Sequence, residues 1–107
     1  MAASLLPLIL AAPAGAADAN GSFVVRGVGN SSCVRYFSEA NLQHNDFENW
    51  LMGFLTAINL STPGLSDILS GTDLAGAMSW INNYCQQIPT RTFSEAAREL
   101  TIFLRGK

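Results

Sequence analysis

From Phe47 onward, apolar residues return every three or four positions: Phe47, Trp50, Leu51, Phe54, Leu55 and Ile58. That is the period of an α-helix with one broad apolar face. Asn45 or Asp46 is placed to cap it, and Glu48 suits the positive end of its dipole. The same period runs through Leu74, Ala77, Met78, Ile81, Cys85 and Ile88, with Ser79, Asn82, Asn83 and Gln86 on a polar, uncharged face. Thr72 or Asp73 opens this helix and Pro89 ends it. A further stripe, Phe93, Ala96, Ala97, Leu100, Phe103 and Leu104, follows the capping box Thr92-x-x-Glu95, and Arg105 and Lys107 suit its negative end. Upstream, Val34, Phe37 and Ala40 predict a helix from Cys33 to Gln43, with Ser32 as N-cap and Arg35–Glu39 as an outward i,i+4 pair. The polar run Gln43-His44-Asn45 predicts a break before the next helix.

The other segments lack this period. Residues 20–32, NGSFVVRGVGNSS, read as an extended arm in which Phe23-Val24-Val25 is β-prone and the glycines interrupt. A lone strand has no partner in such a chain, so the arm is expected to pack on helices. Asn59 to Thr72 reads as a loop around Pro63-Gly64, with room for one helical turn at Ser66–Leu69. Gly53 interrupts the clearest helix, at a cost of about 1 kcal/mol relative to alanine. Close approach of another backbone is the expected reason, and a kink is the alternative. The predicted fold is all-α: a small orthogonal bundle of four short helices with an extended N-terminal arm.

The first residues change the picture of what folds. Leu5 to Ala12 is an apolar run of signal-peptide length, and Ala14-Gly15-Ala16 and Ala17-Asp18-Ala19 are small-residue triplets suited to cleavage. Residues 1–19 are therefore read as a signal peptide, cleaved near Ala16–Ala19, although no Lys or Arg precedes the run. An Ala-rich tail is the alternative. The location expected is periplasmic or secreted. The segment 33–107 is then the helical domain, in a mature chain of roughly 88 residues, which buries only about 60–65% of its unfolded surface and often needs a staple. Two cysteines in an exported chain favour a disulfide, here Cys33 with Cys85; two unpaired buried thiols are the alternative. In the chain-entropy model such a closure is worth roughly 4 kcal/mol. With a single histidine in the chain, the cysteines do not make a zinc site.

Charge and chemistry narrow the function classes. Eight acidic and six basic residues give a net charge of −2, which is no footprint for nucleic acid. No second long apolar run follows the leader, so no membrane span is predicted in the mature chain. His44 sits in a polar stretch and reads as a solvated loop residue, with a pH-switch role chemically open. Asp46, Glu48, Asp73 and Glu95 fall at helix starts, where capping explains them. No nucleophile elbow, paired acids or metalloprotease motif occurs, so the chain is read as non-enzymatic, without cofactor or metal. Asn20, Asn30 and Asn59 head Asn-x-Ser triplets, which matter only in a eukaryotic source. Trp50, Phe54, Phe93 and Phe103 fit the core stripes. Trp80 and Tyr84 lie at the flank of theirs; they either pack under the arm or form an exposed anchor for a partner protein.

A signal peptide, Cys33-Val34-Arg35-Tyr36-Phe37, a second cysteine ending a helix, and Phe93 eight residues later together resemble the HdeA-like superfamily of small bacterial periplasmic proteins, which includes acid-stress chaperones. The chain is also similar to the Rap1a/Tai type of type VI secretion immunity proteins, through Trp50-Leu51-Met52-Gly53-Phe54, Tyr84-Cys85 and Pro89. The resemblance covers Cys33 to Leu104 and implies the fold and a Cys33–Cys85 bond. For function it implies a partner that is another protein: a secreted effector to be inhibited or, alternatively, an unfolded client held in acid. The second role departs from the pattern, because HdeA chaperones are rich in charge and this chain is only 13% charged.

Overall fold

The computed structural model describes residues 17–106, and within residues 39–44 the backbone but not the side chains. The expected leader therefore lies almost wholly outside the described residues. Helix α1 is Cys33–Ser61, α2 is Leu74–Gln87 and α3 is Phe93–Arg105, preceded by a short 3₁₀ turn, Gly27–Asn30. Among the described residues there is no strand beyond a single isolated bridge. The all-α architecture predicted from the hydrophobic period is present, and so is the disulfide expected from the two cysteines.

One expectation is corrected. The two helices predicted upstream of the Pro63-Gly64 loop are a single helix of 29 residues. The polar run around His44 contains neither glycine nor proline, so nothing in it breaks the backbone. The buried stripe also keeps its phase across it: Tyr36 and Phe47 are eleven residues, or about three turns, apart, and both are buried. Asn45 and Asp46 consequently cap nothing. The predicted phase of the first helix is also shifted, since Cys33 and Tyr36 face the core while Val34 is 60% exposed and Phe37 is on the surface.

The other helix ends form as read. The Ser32 hydroxyl accepts from the Arg35 N–H (3.0 Å), and the Asp73 carboxylate accepts from the Gly76 N–H (2.8 Å). At α3 the full capping box is made: Glu95 N–H donates to the Thr92 hydroxyl, and Thr92 N–H donates to the Glu95 carboxylate. The segment before α2 folds in through turns. Ile68 is buried there, and its N–H donates to the Asn59 side-chain oxygen (2.8 Å).

Three links join the start of α1 to the corner between α2 and α3. Cys33 and Cys85, 52 residues apart, are bonded. Cys33 N–H donates to the Arg91 carbonyl (2.7 Å), and Phe93 N–H donates to the Ser31 carbonyl (2.8 Å). The main-chain pair forms an isolated antiparallel bridge at Ser32 and Thr92. Phe93 enters the core from this corner. Its ring lies 5.1 Å from that of Tyr36, 5.0 Å from Phe47 and 5.8 Å from Trp50. Such tilted and edge contacts add to the burial of the rings themselves. The Tyr36 hydroxyl donates to Asn82 on α2, so this polar atom of the cluster is satisfied. Burial, and secondarily the charge of Glu48, raises the Tyr36 phenol above its usual pKa.

The arm packs on α1, as expected, but against Trp50 rather than Trp80 and Tyr84. The Trp50 indole N–H donates to the Arg26 carbonyl (2.7 Å). Gly29 is buried flat on the indole, where a Cβ would collide with the ring atoms. Gly27 turns the chain into this contact with φ +80°, a conformation that suits glycine. Phe23 and Val24 remain 65% and 72% exposed. Replacing Gly29 by alanine is expected to cost about 1–3 kcal/mol, the range for overpacking. Thermal unfolding checks this, and an unchanged midpoint contradicts the packing described.

Candidate functional site

The predicted partner residues Trp80 and Tyr84 lie one turn apart on α2 and are both half-buried. Their rings stack with centroids 5.6 Å apart and planes 17° from parallel. From α3, Phe103 joins the Trp80 ring at 5.6 Å. Sequence periodicity assigned Phe103 to the core, but it is 46% exposed and extends the surface stripe. Ile88, also assigned to the core, is 37% exposed one turn beyond Tyr84. Because α2 carries no Asp, Glu, Lys or Arg, Trp80 and Tyr84 stand on a helix without charge of its own. Such a surface offers apolar area and stacking, with two polar handles in the indole N–H and phenol O–H.

A second feature was not legible in advance. Between the arm, α1 and the first turns of α3 lies a groove of about 750 Å³. Phe23, Val25, Trp50 and Phe54 supply its apolar walls, and Arg26 and Arg98 also line it. Trp50 and Phe54 stack 5.4 Å apart with planes 10° from parallel. Both were assigned to the core; each packs against it but is only half-buried, and both line this groove. Gly53 lies between them along α1, and an added Cβ there meets nothing within 4 Å. The close backbone approach expected at Gly53 is therefore absent, and the glycine faces open space.

The remaining candidates have structural places. Asp73 and Glu95 are caps, as read, whereas Asp46 and Glu48 lie inside the continuous α1. The backbone of His44 is part of α1 rather than of a loop, and its ring lies outside the described side chains. Cys33 and Cys85 are fully buried and bonded, and neither is a free thiol. Among the described residues, no three of His, Cys, Asp and Glu converge to hold a metal ion, and no helix is long and apolar enough to cross a membrane. No protein-family model, curated protein or solved structure matches the chain.

Glu95 carries the one depressed acid of this region. The Thr92 N–H chiefly holds its carboxyl below the usual range; burial opposes this as the next largest effect, and the Thr92 hydroxyl and Arg91 add smaller help. A lowered folded-state value means that the stabilisation is present above the ordinary glutamate pKa and is lost as pH falls through the lowered one. The thermal midpoint of the native protein should therefore drop between about pH 5 and 3 more than that of Glu95→Gln. Parallel profiles for the two proteins contradict the capping role.

Proposed function

We propose that the protein is exported to an oxidising compartment, the periplasm in the bacterial case, and acts there by binding another protein through Trp80, Tyr84 and Phe103. The stacked aromatic stripe is the observation that carries this reading. Two half-buried rings on an uncharged helix, continued by the exposed ring of Phe103 from α3, have the aromatic composition of interface hot spots. The Cys33–Cys85 bond agrees with an oxidising compartment, as does the leader pattern. The sharpest form of the reading is an immunity-type inhibitor of a secreted effector, which works by occupancy and needs no catalytic group of its own. The resemblance to immunity proteins through the Tyr84-Cys85 segment supports that form.

An acid-stress chaperone is the second reading, favoured by one observation. The starts of α2 and α3 are both held by carboxylates, Asp73 and Glu95. Protonation of Glu95 weakens the capping box of α3, and the stripe would then serve unfolded clients rather than one folded partner.

The test is capture of partners by the tagged, exported protein in its own host after brief crosslinking, followed by affinity measurement with the purified partner. Trp80→Ala and Tyr84→Ala should each weaken binding by about thirtyfold, the scale of a hot spot. Leu60→Ala should leave it unchanged, although Leu60 is 86% exposed. Binding that survives both aromatic substitutions refutes the stripe as the interface. Suppression of client aggregation at about pH 3 but not at neutral pH, with no folded partner captured, favours the chaperone reading instead.

A further inference from the structure

The groove beneath the arm differs from the stripe in chemistry. Its volume of about 750 Å³ falls within the range of small-ligand sites. Its walls combine an apolar channel with two guanidinium groups, Arg26 and Arg98. Neither arginine has an ion-pair partner among the described residues. The one acid in the wall, Glu95, is already engaged by Thr92 (2.9 Å) and Arg91 (3.4 Å). The groove therefore has uncompensated positive charge beside apolar surface.

Gly53 supplies an independent observation. A glycine inside a helix costs stability relative to alanine. That cost is normally offset by close packing or by an unusual backbone angle. Gly53 has neither: an added Cβ meets nothing within 4 Å, and its φ is not positive. Gly53 lines the groove beside Trp50 and Phe54, and no atom stands where its side chain would begin, so the glycine keeps that part of the wall bare.

We propose that this groove binds a long-chain carboxylate, a free fatty acid, with the alkyl chain along Trp50, Gly53 and Phe54 and the carboxylate on Arg26 and Arg98. Guanidinium groups pair with carboxylates through parallel hydrogen bonds, which suits a single anionic head. An alkyl chain fits this wall better than a peptide strand does. A peptide brings N–H and C=O groups that need partners once buried. Several polar groups of the wall are already used: the Arg26 carbonyl by Trp50, the Ser94 hydroxyl by Thr92, and Glu95 by its cap. This site is separate from the aromatic stripe and does not depend on the protein-binding reading.

The experiment titrates sodium dodecanoate, below its micellar concentration, into the oxidised protein. Calorimetry and the fluorescence of Trp50 in a Trp80→Phe background report binding. Saturable one-to-one binding is expected. Gly53→Leu should weaken it by at least roughly tenfold with the helical circular dichroism unchanged, and Gly53→Ala should fall between. The double variant Arg26→Gln, Arg98→Gln should weaken dodecanoate by roughly tenfold while leaving dodecanol unaffected. Absence of saturable binding overturns the proposal. So does equal binding by folded Gly53→Leu, a preference for dodecyltrimethylammonium over dodecanoate, or binding lost on Trp80→Ala but kept in Gly53→Leu, which would move the amphiphile to the stripe.

Discussion

The bond between Cys33 and Cys85 fixes the place where all three helices meet. It ties the first residue of α1 to the last turns of α2, and the main-chain bridge at Ser32 and Thr92 ties the same point to the start of α3. A domain of this size gains little from core burial alone. With α1 running for 29 residues, its first residue is held by this link and the paired main-chain groups, and its far end by packing and the Ile68 N–H bond to Asn59. The covalent link and the paired main-chain groups set the helix starts in register, and Phe93 then drops into the space between Tyr36, Phe47 and Trp50. The order of cause runs from crosslink to corner, from corner to aromatic core, and from core to the two surfaces.

Those surfaces share elements but not chemistry. Helix α3 gives Ser94, Glu95 and Arg98 to the groove and Phe103 to the stripe. Trp50 couples the groove to the core, with its ring edge-on to Phe93, its N–H on the arm, and one face stacked on Phe54. The stripe on α2 has no charge of its own, whereas the groove has two arginines. A partner protein and an anionic amphiphile therefore have different places to bind.

What the sequence made legible was what depends on local spacing. The caps at Ser32, Asp73 and Thr92, the proline stop after α2 and the three long stripes follow from period and capping chemistry. The polar run at His44 suggests a break that does not form, because polar composition alone does not interrupt a helix and the run holds no glycine or proline. Phe103 and Ile88 were misplaced for a related reason. A stripe wider than the core can cover leaves its flank exposed, and width alone does not say which flank. The bond from Asn59 to Ile68 and the groove depend on how distant segments fold together, and no spacing in the chain announces either. Gly53 was visible as an anomaly; its open surroundings became apparent only with the fold.

The crosslink is the claim on which the others rest, and its contribution can be measured directly. Denaturant unfolding of the oxidised protein should be compared with that of the double variant Cys33→Ser, Cys85→Ser under the same conditions. Loss of about 2–5 kcal/mol of stability, or failure of the variant to fold at 37 °C, is expected for a staple of this kind. A variant as stable as the oxidised protein, with the same cooperativity, would contradict the account, because the corner would then be held by the bridge and the aromatic core without the bond.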